Sequence, residues 1–178
     1  NFVHANITEI VRDTVKRFAP AVNVQNIIFK ECYPTDGVIA DVDVEVFTKI
    51  MSNIFNNALK HAATFINVLL EEQDDTFTLR VTNDGDKIPK ELAEQVFVPF
   101  FKLDEGSLGT GIGLSFARTL VETHHGTIFI DTEMYDVTFV IILPRKQKNV
   151  LVLLDEEQLD ETGPESHSDM DLEDERSK

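Results

Sequence analysis

Two sets of residues have the types and the spacing that phosphate chemistry requires. The first is the run Gly109 to Leu114, in which three glycines alternate with other residues and lead into a helical pattern over residues 111–124. The backbone N–H groups of a glycine-rich loop at a helix N-terminus can surround a phosphate, because no side chains crowd them. A tight turn in a packed structure would use the same glycines, so both interpretations stay open on this run alone.

The common phosphate-loop patterns do not describe this run. The P-loop pattern GxxxxGK[ST] is absent from the chain. The dinucleotide fingerprint fails because Leu114 stands where its third glycine or alanine would be. The run also follows a polar segment instead of a strand, so a nucleotide site here would be of another kind.

The second set lies on the strongest predicted helix, residues 44–63, which carries one apolar stripe at helical spacing. Asn53, Asn57 and Lys60 follow one edge of that stripe, and His61 lies at its border. Asparagine costs roughly half a kcal/mol relative to alanine inside a helix. Several asparagines on one turn therefore favour a functional face, and a solvated polar face is the alternative.

A turn rich in short polar residues, 83–89, follows the strand predicted over residues 76–81. Side chains that leave a strand end are well placed to point into a pocket. An Asn-Asp-Gly sequence also forms an ordinary turn readily, which is the alternative. A short helix is predicted after Pro89, followed by an aromatic loop whose phenylalanines are more typical of a core than of a ligand platform.

Composition excludes several classes of protein. The chain has 178 residues, 42% of them hydrophobic, which is enough for one domain and a tail. One cysteine excludes an internal disulfide and a multi-cysteine metal site. The apolar runs are too short for a membrane helix. A net charge of −16 argues against nucleic acid as a partner, and a bound polyanion would need a metal ion or a local positive group.

Charge divides the chain into a globular part, residues 1–146, and an acidic tail, residues 147–178. Eleven of the 32 acidic residues lie from Val150 onward, so we expect the tail to be disordered. Its start faintly resembles the first strand of a receiver domain, although an acidic linker is favoured. Because the chain does not begin with methionine, we expect an excised piece of a soluble protein from a reducing compartment.

The order of predicted elements indicates an α+β fold, because crossover helices do not separate successive strands. A first helix is expected from Thr8 to Pro20, and the next two strands are expected to form a hairpin. The predicted strands are residues 26–33, 38–43, 65–71, 76–81, 127–132 and 137–143.

Four segments in a fixed order closely resemble the N, G1, F and G2 boxes of the catalytic ATP-binding domain of bacterial sensor histidine kinases. They are N-I-F-N-N-A-L-K-H (residues 53–61), V-T-N-D-G-D-K-I-P (81–89), F-V-P-F-F-K (97–102) and G-T-G-I-G-L (109–114). The resemblance covers about residues 6–145. It implies the Bergerat ATP-binding fold, a two-layer sandwich of a mixed, mostly antiparallel five-stranded sheet with three helices on one face.

The resemblance also implies ATP and Mg²⁺ as cofactors. Asn57 would bind the metal, Asn53 would place the metal or its water, and Lys60 would meet phosphate; Asn53 and Lys60 would be the catalytic residues. Residues 97–108 would form a short lid over the nucleotide. The expected nucleotide contacts are Asn53, Asn57, Lys60, His61, Asn83, Asp84, Gly85, Ile88, Phe101, Lys102, Gly109, Thr110, Gly111, Ile112, Gly113 and Leu114.

The G1 box departs from the family pattern D-x-G-x-G. Asn83 stands at the position of the aspartate that accepts a hydrogen bond from adenine, and Lys87 replaces the second glycine. Asparagine still accepts through its carbonyl, but the loss of charge could weaken binding by about 1 kcal/mol. Alternatively, Asp84 takes the role.

The resemblance implies a protein histidine kinase and not a hydrolase, because Asn53 occupies the position of the hydrolases' general base and cannot take a proton. The acceptor histidine would lie on a dimerisation domain absent from this chain, so we expect no autophosphorylation and a monomer. The parent protein would be a membrane-anchored homodimer of the inner membrane, with this part in the cytoplasm and a response-regulator receiver domain as partner. A serine-type kinase of the same fold and a nucleotide-free interaction module are the alternatives.

Overall fold

The computed structural model describes residues 1–103 and 109–147, and residues 1–147 form one compact unit. The predicted acidic tail lies outside the described residues apart from Gln147, and so does part of the predicted lid. Two 3-10 turns, Lys90–Leu92 and Gln95–Phe97, replace the short helix expected after Pro89. The helices and strands are β1 (Val3–Asn6), α1 (Ile7–Val24), β2 (Ile28–Cys32), β3 (Ile39–Val42), α2 (Val44–His61), β4 (Phe65–Glu72), β5 (Thr76–Asn83), α3 (Gly113–Thr123), β6 (Thr127–Ile130) and β7 (Val137–Pro144).

The main sheet has five strands in the order β2-β4-β5-β7-β6. Strand β2 is parallel to β4, and the other neighbours are antiparallel. Along β4, Ile66, Val68 and Leu70 are buried on one face, as the two-residue period of a strand requires. The predicted α+β fold with a mixed, mostly antiparallel five-stranded sheet is confirmed.

Helix α2 is the centre of the helical layer, because it contacts α1, α3 and β5. Its stripe of Phe47, Ile50, Met51 and Ile54 is completely buried. The ring of Phe47 meets the ring of Phe77 on β5 edge to face, with centroids 5.8 Å apart. This packing fixes the rotation of α2 on the sheet, and therefore the direction of the polar side chains that border the stripe.

The predicted hairpin of the second and third strands is wrong. Strand β3 pairs antiparallel with β1 in a separate two-stranded sheet, and β2 pairs parallel with β4. A parallel pair needs a long crossover, and the segment from β3 through α2 provides it. The opening residues Val3–Asn6 supply the strand that β3 needs.

Helix α1 continues beyond Pro20, where the sequence pattern placed its end, and finishes at Val24. Proline removes one backbone donor, and here it does so only in the last turns of the helix. Val22 is 7% exposed, so its contact with the core stabilises the extra turn. Among the described residues, no helix combines the length and the apolar character needed to cross a membrane.

Candidate nucleotide-binding site

A cavity of about 460 Å³ lies between α2, the end of β5 and the glycine run. Its lining includes the predicted contact residues except Asp84, Gly85 and Ile112. The predicted residues that line it are Asn53, Asn57, Lys60, His61, Asn83, Ile88, Phe101, Lys102, Gly109, Thr110, Gly111, Gly113 and Leu114.

Helix α2 presents Asn53, Asn57 and Lys60 to the cavity on successive turns. The side-chain Nδ2 of Asn53 donates a hydrogen bond of 2.8 Å to the backbone oxygen of Lys49. This bond orients the amide, so its Oδ1 is directed at the start of α3, where a Cβ added to Gly113 would lie 3.2 Å from it. Two helices thus place an amide oxygen against the glycine run.

The glycine run has the backbone shape that only glycine adopts without strain. Gly109 and Gly111 have φ angles of +121° and +71°. A Cβ at Gly111 would lie 2.8 Å from the carbonyl carbon of Phe100, and the Phe100 N–H donates to the Gly111 oxygen at 2.9 Å. A Cβ at Gly109 would lie 3.5 Å from Nζ of Lys60, so an ammonium group stands beside the run.

Helix α3 begins at Gly113 without a side-chain cap, so its first N–H groups are not satisfied by a capping side chain. Such groups, together with the helix dipole, favour an anion. Ile112, which was expected to contact the nucleotide, is 41% exposed and lies outside the cavity lining. The backbone oxygen of Ile112 accepts a hydrogen bond from the Ser115 hydroxyl, so Ile112 shapes the first turn of the helix.

Asn83 is the last residue of β5 and is only 1% exposed. Neither its Oδ1 nor its Nδ2 has a hydrogen-bond partner in the described part of the protein. The cavity wall around it includes the apolar side chains Ile88, Val96 and Val137. A buried amide without partners is costly, so this side chain is suited to a polar ligand edge that enters the cavity.

Asp84 is engaged elsewhere. Its carboxylate accepts hydrogen bonds from the backbone N–H groups of Ala63, Thr64 and Phe65, at 3.1, 2.9 and 3.0 Å, and from the Thr64 hydroxyl. Burial raises the pKa of Asp84, but these hydrogen bonds outweigh it and hold the pKa well below its ordinary value. Asp84 therefore connects the turn after β5 to the start of β4.

Gly85 permits a close contact of the backbone. A Cβ at this position would lie 2.1 Å from the backbone oxygen of His61, the last residue of α2. His61 itself lines the cavity, and burial, followed by the charge of Lys60, lowers its pKa despite the opposing charge of Asp86. The lowered pKa favours the neutral imidazole.

The sequence did not single out five other residues of the lining, which come from separate elements. Val137 lies opposite Asn83 in the pairing of β5 with β7, a register that sequence alone does not give. Asn56 belongs to the asparagine-rich turn of α2, and the enrichment of asparagine there was the one sequence signal that it lines the cavity. The five are Asn56, Asp86, Val96, Leu103 and Val137.

The side chains of the cavity fit Mg²⁺ held together with phosphate. Within the described residues, no group of three histidine, cysteine or acidic side chains could hold a metal. Mg²⁺ prefers oxygen ligands and is commonly held by few protein groups together with substrate phosphates. The Oδ1 of Asn53 and the amide of Asn57 are suitable donors, while the apolar wall and Asn83 suit a heterocyclic base.

Comparison with known proteins places this arrangement in a family. The profile of the histidine kinase-, DNA gyrase B- and HSP90-like ATPases matches residues 42–147. The sensor histidine kinase WalK of Bacillus subtilis is 30% identical over 134 residues, which are 70% of this chain and 22% of that protein. The probable sensor kinase SilS of Salmonella typhimurium is 29% identical over 118 residues, 63% of this chain and 24% of that protein. The chain thus spans about a quarter of the length of these relatives.

Solved structures agree. The catalytic domain of the histidine kinase ThkA superposes with a TM-score of 0.75 at 27% identity, covering 82% of this chain and 97% of that domain. ThkA in complex with the response regulator TrrA gives 0.71 at 25% identity, covering 81% of this chain and 42% of the matched chain. The chain belongs to the histidine kinase-, DNA gyrase B- and HSP90-like ATPase family, as a catalytic ATP-binding domain of the sensor histidine kinase type.

Proposed function

We propose that this domain binds Mg²⁺-ATP in the cavity and donates the γ-phosphate to a histidine on a dimerisation domain outside these 178 residues. The observation that carries the proposal is the meeting of three features in one cavity. Amide oxygens from α2, an ammonium group beside the glycine run, and a buried amide in an apolar wall all face the same space.

Each group has a definite task in this proposal. Asn57 holds Mg²⁺, and Asn53 places the metal or its water through the oxygen that its bond to Lys49 leaves available. Lys60 and Lys102 meet the phosphates, whose charge the bound metal also neutralises. Phosphoryl transfer depends mainly on such positioning and charge stabilisation, so these contacts are the catalytic contribution of the domain.

Asn53 favours transfer to a side chain over hydrolysis. Its carboxamide cannot accept a proton, so it cannot activate water as a general base. In the described lining, the one carboxylate is Asp86, which lies in the turn after β5 beside His61. Attack by water on the γ-phosphate is therefore slow, which suits an enzyme that transfers this phosphate to an acceptor side chain.

The relatives suggest the wider setting of the proposed reaction. ThkA was solved with a response regulator, and we propose a receiver domain as the final phosphate acceptor here as well. We also propose that the parent is a homodimeric sensor anchored in the inner membrane, with this domain in the cytoplasm. Separated from a dimerisation domain, it is expected to be a monomer.

The first test is calorimetric titration with ADP and a non-hydrolysable ATP analogue, with and without Mg²⁺. Wild-type protein is expected to bind in a Mg²⁺-dependent manner, and Asn57→Ala to weaken that binding by at least about tenfold, or about 1.4 kcal/mol. The control is Lys49→Ala, an exposed position on the same helix that does not line the cavity. Absence of binding to wild-type protein would contradict the proposal and favour a nucleotide-free interaction module.

The phosphate acceptor is identified by the stability of the product. Labelled ATP is incubated with this domain and an added helical dimerisation domain. The proposal expects an acid-labile phosphohistidine on the added domain and none without it. An acid-stable phosphoserine on a protein partner would instead favour the serine-type kinase, and steady release of phosphate without an acceptor would indicate a hydrolase.

A further inference from the structure

We propose that the cavity reads the base through the carboxamide of Asn83, and that it therefore accepts 6-oxopurine nucleotides as well as adenine nucleotides. The inference rests on the proposed function, in that a purine nucleotide occupies this cavity. It extends that function by naming the class of bases that the site admits.

The observation behind it is the environment of Asn83. The side chain is 1% exposed and lines the cavity, yet neither polar atom has a partner within the described residues. Buried amides are normally hydrogen-bonded, so a group that binds in the cavity is the natural partner for both atoms. Because no group in the described part of the chain bonds to either atom, no hydrogen bond from those residues fixes the amide in one orientation.

The neighbours of Asn83 do not compete with it for hydrogen bonds to the edge of the base. Asp84 is committed to the backbone of residues 63–65 and does not line the cavity. Gly85 adds no side chain, and a Cβ there would crowd Nδ2 of Asn83 at 2.8 Å. Ile88 and Val137 in the lining are apolar and cannot compete for its hydrogen bonds.

The chemistry of a carboxamide explains the wider choice of base. Adenine presents a donor, its 6-amino group, next to the acceptor N1, whereas hypoxanthine presents the acceptor O6 next to the donor N1–H. A carboxamide has one acceptor oxygen and one donor nitrogen of almost equal size, so a half turn about its last bond matches either edge. A carboxylate has only acceptors, so an oxygen that faces the 6-substituent pairs with the 6-amino group of adenine but meets O6 of hypoxanthine with no proton between them, even where its other oxygen accepts from N1–H.

The test compares ADP with IDP, which share ribose and phosphates and differ at the base edge. IDP is used because hypoxanthine lacks the 2-amino group of guanine. In wild-type protein with Mg²⁺, we expect the two dissociation constants to agree within about tenfold. In Asn83→Asp, we expect the ratio to widen to about 100-fold or more in favour of ADP, because buried polar groups left unpaired reject a ligand strongly.

The outcomes distinguish a failure of this inference from a failure of the proposed function on which it rests. If wild-type protein binds ADP but binds IDP as poorly as the Asn83→Asp variant does, the inference is wrong and the nucleotide site stands. If wild-type protein binds neither, the proposed function fails and the inference fails with it.

A second measurement does not depend on the folding of the variant, which buries a carboxylate. Purine riboside diphosphate lacks any substituent at position 6, so wild-type protein is expected to bind it at least about fivefold more weakly than ADP or IDP. Equal binding of all three ligands would show that the edge is not read, and would overturn the inference.

Discussion

The polar groups near the two ends of helix α2 differ in whether the protein supplies their hydrogen-bond partners. At the N-terminal end, the Asp43 side chain caps the Val46 N–H at 3.1 Å, and the Asp43 N–H donates to Nε2 of His124 at 3.2 Å. His124 is 2% exposed, and its Nδ1 donates to the Leu120 oxygen at 3.0 Å. Both ring nitrogens are satisfied by the protein, so this end is a closed polar network.

At the C-terminal end, the network is open. Asn83 is as deeply buried as His124 but has no partner among the described residues, and Oδ1 of Asn53 is directed at the glycine run. Asn83 and His124 are alike in burial and polarity, and only the presence of partners differs. Asn83 is a candidate ligand contact because its unpaired buried amide also lines the cavity, whereas the paired ring of His124 has a structural role.

The largest effect is expected from Gly85→Ala, which would place a Cβ 2.1 Å from the His61 oxygen. Backbone must move to relieve this contact, so we expect a loss of about 3 kcal/mol in the free energy of unfolding. Urea denaturation measures it. Gly113→Ala is the control, because its Cβ would meet only the Asn53 amide, at 3.2 Å, and should weaken ADP binding at little cost in stability. Equal stability of Gly85→Ala and wild-type protein would contradict the close contact.

Asp84→Asn is expected to cost about 2 kcal/mol at pH 7, because charge-assisted hydrogen bonds to three backbone N–H groups become neutral and fewer. The exposed neighbour Asp86, changed to Asn, is the control in the same denaturation experiment. A loss of ADP affinity in Asp84→Asn without loss of stability would instead return Asp84 to the base-contacting role.

The same carboxylate predicts a pH dependence. The folded-state pKa of Asp84 is lower than its unfolded value, so its contribution to stability is fully present above the ordinary pKa of about 4 and is lost as the pH falls below it. Between pH 5 and pH 2, stability should therefore fall less steeply in Asp84→Asn than in wild-type protein. Parallel stability curves would contradict the lowered pKa.

The smallest effect is expected at the closed end. His124→Leu removes the acceptor of the Asp43 N–H, so we expect a loss of about 1–2 kcal/mol in the free energy of unfolding. The affinity for ADP should not change, since His124 does not line the cavity. A change in ADP affinity without a change in the stability of His124→Leu would contradict the distinction between the two ends.

The sequence predicted features that depend on short stretches of chain. The helix expected over residues 44–63 is Val44–His61, because its apolar stripe recurs within each turn. The strands after it begin where expected, and the second ends two residues later, at Asn83. Local periodicity carries this information, and it also brought Asn53, Asn57 and Lys60 to one edge of the helix.

Features that depend on distant pairing were not predictable. The partner of β3 is β1, the first strand of the chain, from which α1 and β2 separate it, and neither strand has a sequence signal for the other. The division of labour between Asn83 and Asp84 follows from the alternation of side chains at a strand end and from the position of residues 63–65. The motif aligned Asn83 with the base-contacting position and left Asp84 as the alternative, and only the fold separates the two.

The small sheet has a consequence for the connectivity of the domain. Strand β3 pairs with β1 through Asp41 and His4, and the Asp41 N–H also donates to the Arg145 oxygen at 2.8 Å. The first strand and the last described segment therefore meet on one residue. A short linker could join them in a circular permutant reopened at another surface turn, with every element of the cavity kept in place.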